Sequence, residues 1–368
     1  MDRLPEHRDN FSNAASNDAG TKEDLMARAK KKAPESLESL LRSKPPAGTK
    51  VPEPPRTSEF VFVAEEKPSL ELEAIKGQKA WRLEVGGVEA SAYAQRLKLI
   101  DRPARAHGDF SKPFMPSGVA ASFLPKLATP PRRTLYRVSG KTVRPLSRYI
   151  FGDDDRAVLR DYSYPWWCVG SVGSGTGTLI GPRLVLTAAH CIDFPQRFSP
   201  TFQAGTNIEG GRNLLSAKVD AWLVGSEDGR VCANDFAIGV LSKPLGLSLG
   251  WMGTRGFNEG WCDIPNFMHV GLRGGVLPSW QAGLSVEDVD DGPADTMELE
   301  TFCDTESGQS GGPLFGWWDH KPYIVGVLSG YQEEFTYSFP LSFTASHSVF
   351  AGGPGMVRRV IEMRNEYD

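Results

Sequence analysis

An all-β fold is what the larger part of this chain predicts, and three observations carry it. From about Tyr149 onward, short apolar runs alternate with Gly, Pro, Asn and Asp. The runs have strand length rather than helix length. A helical period appears only at the C-terminal end.

The elements can be justified in order. Thr176-Gly177-Thr178-Leu179-Ile180, the turn Gly181-Pro182-Arg183 and Leu184-Val185-Leu186-Thr187 read together as a hairpin. Strand-like runs follow at Phe236–Leu241, Phe267–Leu272, Met297–Phe302, Pro313–Phe315 and Tyr323–Leu328. Met356, Val357, Val360, Ile361 and Arg364 then keep helical spacing after Gly352-Gly353-Pro354, which predicts a C-terminal helix. The pattern is that of a β-barrel or sandwich, without an internal repeat of fixed period.

Upstream the chain reads differently. Residues 1–58 are polar and interrupted by Pro34, Pro45, Pro46, Pro52, Pro54 and Pro55, a composition that predicts disorder. A short amphipathic helix is expected there at Glu35–Arg42, with Leu37, Leu40 and Leu41 on one face. Residues 59–110 hold strand-like pieces, Phe60-Val61-Phe62-Val63 and Trp81-Arg82-Leu83-Glu84-Val85, and residues 111–148 return to Pro, Arg and Ser as a linker. The expected division is therefore 1–58, 59–148 and 149–368.

Charge marks the same boundary. The 368 residues carry a net charge of −4, which argues against a dedicated nucleic-acid binder. That total conceals 27 Lys/Arg against 18 Asp/Glu in residues 1–150, and 14 against 27 in residues 151–368, or +9 and −13. No run of about 18 apolar residues occurs, so no membrane span is expected. The first twenty residues lack the apolar stretch of roughly 7–15 that a secretory signal needs. Either that route is not used or the natural start is missing. The cysteines, Cys168, Cys191, Cys232, Cys262 and Cys303, are odd in number, so at least one lacks an intrachain partner. The absence of a Cys-x-x-Cys pair argues against structural zinc.

Three short segments carry the chemistry. Thr187-Ala188-Ala189-His190-Cys191 closes an expected strand, Asn234-Asp235-Phe236-Ala237-Ile238 opens one, and Gly308-Gln309-Ser310-Gly311-Gly312-Pro313 follows an acidic loop. A serine hydroxyl is a weak nucleophile at neutral pH and needs a base within hydrogen-bond reach. His190 can take its proton and return it to the leaving group, and Asp235 can fix the imidazole tautomer and stabilise the imidazolium. Glycines around Ser310 let the N–H groups of Gly308 and Ser310 converge as an oxyanion hole. Gly-x-Ser-x-Gly also matches the elbow of α/β-hydrolases, but that fold runs Ser, acid, His along the chain with alternating helices. Here the order is His, Asp, Ser, and the helices are missing.

On these motifs the chain resembles the trypsin-like (chymotrypsin-fold) serine proteases over roughly Ile150–Met363. The resemblance implies two six-stranded antiparallel β-barrels with the triad at their junction, a serine endopeptidase activity on protein or peptide substrates, no metal or organic cofactor, an extracellular monomer and removal of a pro-segment. Phe151-Gly152-Asp153-Asp154-Asp155-Arg156 looks like the mature start of the branch that includes bacterial glutamyl endopeptidases and related microbial and fungal proteases. Asp304-Thr305 ahead of Gly308-Gln309-Ser310-Gly311 is also similar to that branch. Residues 59–148 would then be pro-segment and linker, released near Arg148-Tyr149, and the basic N-terminal part would face an acidic protease domain.

The sequence also departs from the family. Trypsin has an Asp immediately before the nucleophile, which pairs with the new N-terminus on activation. Gln309 stands there and cannot form that ion pair. Gly175 occupies the place of the cysteine that pairs with the one after the His in the animal enzymes, which leaves Cys168 as the nearest candidate partner for Cys191. The resemblance puts Asp304 and Thr305 in the primary pocket, Asp304 at the position that gives trypsin its preference for Arg and Lys. Leu328 stands where the glutamyl endopeptidases have a His, and Ser329 and Gly330 would offer backbone groups to an extended substrate. His269, His320 and His347 lack an acid–base context in sequence, and Trp166-Trp167 and Trp317-Trp318 are expected to pack the barrels. The rival class is a non-catalytic chymotrypsin-fold binding protein. Such proteins usually lose a triad residue, and all three are present.

Overall fold

A computed structural model describes residues 32–50, 107–125, 148–192, 200–205, 215–226, 230–338 and 341–368, with the backbone of further strands at 69–75, 78–84, 95–97, 128–129, 136–138 and 141–143. The stretch Phe60–Val63 lies outside the described residues, whereas Trp81 falls in a strand Gln78–Glu84 paired with Ser69–Ile75.

The first half of the expected protease region is a closed, six-stranded antiparallel barrel. Its strands are Val169–Val172, Gly175–Leu179, Leu184–Thr187, Thr201–Ala204, Leu215–Val224 and Ala237–Leu241. Each is paired with its neighbours, and Thr201–Ala204 pairs with both Val169–Val172 and Leu215–Val224, which closes the ring. The expected hairpin is present, with Thr178 opposite Leu186 and Leu179 opposite Val185. The strand Leu184–Thr187 is buried throughout, so its apolar run faces core on both sides.

The second half is a larger, eleven-stranded sheet running from Asp288–Asp291 at one edge to Ala128–Thr129 at the other. It exceeds six strands because further strands join: Phe110–Ser111 pairs with Gly253–Arg255, and Ala128–Thr129 with Ala157–Leu159. Within it, strands Lys321–Ser338 and Leu341–Gly352 form a long hairpin. The C-terminal helix spans Gly353–Tyr367 and buries Met356, Val357 and Val360 as its spacing predicts, while Met363 is buried where Ile361 and Arg364 are only half-buried.

Part of the N-terminal region packs on this unit. The composition of residues 1–58 predicts disorder, yet residues 32–50 form an arm containing the helix Leu37–Arg42, capped by Ser36, with Leu40 buried. The Glu35 N–H donates to the Trp317 carbonyl (2.7 Å), and Trp318 Nε1–H to the Lys32 carbonyl (2.8 Å). Phe114 packs on Trp251 with ring centroids 4.5 Å apart and the rings tilted by 35°. A polar segment is held because it meets apolar partners and satisfies its own backbone groups. Trp166, Trp317 and Trp318 are buried, so the tryptophan pairs serve the core.

Candidate active site

His190 lies on the single 3₁₀ turn Ala189–Cys191 after strand Leu184–Thr187, and Asp235 lies just ahead of strand Ala237–Leu241. These strands pair antiparallel with Thr187 opposite Ala237, so the end of one lies beside the start of the other. Register thus brings the imidazole to the carboxylate. His190 Nδ1 is 2.7 Å from Asp235 Oδ2, and the His190 backbone N–H donates to Oδ1 at 3.0 Å. A third donor comes from the other half of the molecule, where Ser329 Oγ–H reaches Oδ2 at 2.6 Å. Asp235 is wholly buried, so these donors replace water around its charge.

The environment favours the charged ring. Burial of His190 opposes protonation, but the hydrogen bond to Asp235, contacts with Cys191 and the Asp235 charge outweigh it and push the pKa up to about 10. The same contacts would stabilise the imidazolium formed during catalysis, but the ring must first lose its own proton before it can act as a base.

Ser310 sits between two glycines in left-handed backbone, Gly308 (φ +91°) and Gly311 (φ +80°). The Thr176 N–H donates to the Ser310 carbonyl at 2.8 Å, and the Gly311 N–H to the Leu328 carbonyl at 2.8 Å. The nucleophile loop is therefore tied to the first barrel on one side and to the Lys321–Ser338 strand on the other. Cys191 Sγ lies 3.8 Å from His190 Nε2 and 3.5 Å from the Ser310 carbonyl, so one thiol touches both His190 and Ser310. Among the described residues, Ser310 Oγ makes no hydrogen bond to His190, and the N–H groups of Gly308 and Ser310 have no protein acceptor. Catalytic hydrogen bonds commonly tighten only when substrate is bound.

Gly175 belongs to the same contact. A Cβ there would stand 2.5 Å from both Cys191 Sγ and the Ser310 carbonyl oxygen, so the two halves can approach only over a glycine. Cys168 is not bridged to Cys191; its thiol points at the carbonyls of Leu249 (3.7 Å) and Gly250 (3.5 Å).

The expected pocket residues are placed as follows. Asp304 is buried, and its two oxygens accept from the Phe151 N–H (2.8 Å) and the Asp155 N–H (3.2 Å). Burial pushes its pKa up to about 6, against the pull of those two amides. The carboxylate thus holds the Phe151–Asp155 turn. Thr305 Oγ1 is 3.1 Å from Ser348 Oγ, and Leu328 is buried in the apolar cluster with Phe267, Leu299 and Phe350. At Gly330 a Cβ would meet Val231 at 2.6 Å. Strand Arg148–Tyr149 pairs with Thr305–Glu306, and the Tyr149 ring stacks on Tyr331 at 3.6 Å.

Sequence reading missed several residues. Ser329 was expected to act through its backbone, whereas its hydroxyl also binds Asp235. Arg156, Glu306 and Gln309 form a buried polar cluster behind Ser310, and their polar sequence surroundings, Asp153-Asp154-Asp155-Arg156 and Asp304-Thr305-Glu306-Ser307, give no signal of it. His320 and His347 do have carboxylate partners, Glu35 at 2.8 Å and Glu300 at 2.9 Å.

Comparison with known proteins agrees with this geometry. Residues 156–256 match the family model described as Trypsin. Over that stretch the chain resembles the trypsin-like serine proteases. A glutamyl endopeptidase of Bacillus licheniformis is 29% identical over 187 residues, 45% of this chain and 54% of the relative, so the match spans about half of that protein's length. A solved structure of Glu endopeptidase in complex with MPD is 23% identical, with a TM-score of 0.43, and aligns with 59% of this chain and 99% of its own. The trypsin-family match contains both His190 and Asp235, the two residues brought together by strand register.

Proposed function

We propose that this protein is a serine endopeptidase using Ser310, His190 and Asp235. The observation that carries the reading is the 2.7 Å contact of His190 with buried Asp235, beside a serine flanked by two left-handed glycines. In the proposed cycle, Ser310 Oγ attacks the scissile carbonyl and His190 Nε2 takes its proton. The N–H groups of Gly308 and Ser310 hold the oxyanion. His190 then protonates the leaving amine, and water, activated by the same ring, releases the acyl group from Ser310. Asp235 keeps the ring oriented. Substrates are protein or peptide chains lying extended along Ser329 and Gly330, with Asp304, Thr305 and Leu328 shaping the primary pocket. The protein acts as an extracellular monomer without a metal or cofactor. Among the described residues no helix is long and apolar enough to cross a membrane.

Residues 1–148 are proposed as a pro-segment cut near Arg148-Tyr149. The pairing of that strand with Thr305–Glu306 supports a cut on the edge of the proposed pocket. Because residues 32–50 and 107–125 pack into the folded unit, they stay bound after the cut. N-terminal sequencing of the form that cleaves protein substrates tests this, and a protein-cleaving species that still begins near Met1 would sink it.

The activity itself is tested with a fluorophosphonate probe. Labelling should depend on Ser310 and disappear in Ser310→Ala. Labelling that persists in this variant excludes the assigned nucleophile.

A further inference from the structure

Behind Ser310 lies a polar cluster that the proposed chemistry does not use. Arg156 is completely buried. Its Nη1–H donates to Gln309 Oε1 at 2.7 Å, its Nη2–H to Glu306 Oε2 at 3.2 Å, and its Nε–H to Asp154 Oδ1 at 2.9 Å. Arg273 lies on the same carboxylates, with Nε 3.3 Å from Glu306 Oε1 and Nη2 3.7 Å from Asp154 Oδ2. Two guanidinium groups thus face two carboxylates, a balance that lets the charges remain in a dry interior. Burial disfavours the Arg156 charge, but the bond to Asp154 and the charges of Asp154, Glu306 and Asp304 hold its pKa above the ordinary value.

Gln309 immediately precedes the nucleophile, and its side chain is fixed on every side. Oε1 takes the Arg156 donor and also the Glu306 N–H at 3.0 Å, while Nε2 lies 3.4 Å from both Ser279 Oγ and His269 Nε2. His269 is buried beside it, with its pKa lowered to about 3 by desolvation, so it faces the amide as a neutral ring. The Gln309 N–H closes a turn onto the Glu306 carbonyl at 3.1 Å. Residues 306–310 therefore have their curvature set by contacts to a side chain from outside the loop. Gly308 and Ser310, whose N–H groups are the proposed oxyanion donors, lie on that curve.

We propose that Arg156 is a positioning residue that sets the oxyanion loop through Gln309, so the catalytic loop is assembled in the uncut chain without a new N-terminus. In trypsin an Asp at the place of Gln309 waits for an ammonium group made by cleavage. Here an amide meets a guanidinium that the chain already contains. Cleavage near Arg148 then governs access of substrate, and the loop is built beforehand. The inference rests on the serine protease reading.

The test uses the full chain, with Arg148→Gln added to block cutting at that bond. Its readouts are the fluorophosphonate labelling rate and the kcat and KM for p-nitrophenyl acetate. The uncut chain should label at Ser310. Arg156→Met should lower kcat and the labelling rate by about 10²–10³-fold, the effect of losing an oxyanion donor, with KM little changed. Arg156→Lys, which keeps the charge but not the fork, should recover part of the loss. Should Arg156→Met fail to fold, Gln309→Leu decides, because it leaves the Arg156–Glu306–Asp154 contacts in place. Its kcat should fall about tenfold or more, the effect of a hydrogen bond to a charged group. A folded Gln309→Leu chain as fast as wild type overturns the inference, as does Ser310 labelling confined to chains cut near Arg148. Loss of Ser310-dependent labelling in the cut wild-type protein would instead refute the protease reading itself.

Discussion

The two halves of the molecule position their share of the site by different means. In the first barrel, local strand pairing does the work. Thr187 opposite Ala237 puts His190 beside Asp235, and short connections leave little freedom to do otherwise. In the second half, the nucleophile loop takes its shape from buried side chains far away in sequence, with Arg156 reaching Gln309 across 153 positions. Register is legible in a sequence and robust to single changes, because one slipped residue would turn a whole strand face outward. A polar cluster is neither, because each member depends on the others being present.

The sharpest way to break the comparison is at its meeting point. Ser310→Ala should remove roughly 10⁶-fold in kcat, as triad knockouts do, with the fold intact by circular dichroism. Asp235→Asn comes next, with about a 10⁴-fold loss, because an amide favours the wrong imidazole tautomer. The pH profile separates the two variants. His190 must be neutral to accept the Ser310 proton, and its pKa is raised to about 10. The neutral fraction therefore grows as pH rises, and kcat/KM should climb on the alkaline side of the ordinary His value of about 6.5. Removing the Asp235 charge should move that limb toward lower pH. A profile already flat from pH 6 upward in the wild type would contradict the stabilised imidazolium.

This contrast also explains what the sequence could and could not reveal. The hairpin 176–187, the strand carrying Ala237 and the helix after Gly353 were visible because apolar spacing and turn residues are local signals. His190, Asp235 and Ser310 stood out through the motifs around them. In the arm at residues 32–50 the leucine spacing announced the helix, but its docking was not visible, because that comes from Trp317 and Trp318, nearly three hundred positions away, and not from its own proline-rich composition. The same holds for Asp304. Its place relative to Ser310 suggested a pocket acid, while its two bonds go to the amides of Phe151 and Asp155, partners that only folding supplies.

Smaller effects sharpen the picture of the second half. Leu40 is 1% exposed, so Leu40→Ala should destabilise the arm by about 2–4 kcal/mol through lost burial and the cavity left behind. Thermal unfolding measures it, and a shift near zero would mean that the arm does not contribute to the core. Ser329→Ala removes one of three donors to Asp235 while the other two, both from His190, remain. A hydrogen bond to a charged group contributes about 1.5–3 kcal/mol, so kcat should fall by about ten- to a hundredfold. An unchanged kcat would show that the first barrel alone suffices to hold the carboxylate.

The smallest expected effect tests whether charge as such matters or only buried charge. Lys32 Nζ lies 2.5 Å from Asp319 Oδ1, a shorter contact than any that Arg156 makes, yet the two side chains are 63% and 78% exposed. Water screens the attraction, and both long side chains must be ordered to keep it, so such pairs contribute about 0–1 kcal/mol. Lys32→Ala should therefore shift the unfolding midpoint by no more than the experimental scatter, and less still in high salt. A loss comparable to that of Leu40→Ala would mean that the arm is held by charge at its tip, and the contrast between a register-built half and a half built on buried side chains would need redrawing at this surface.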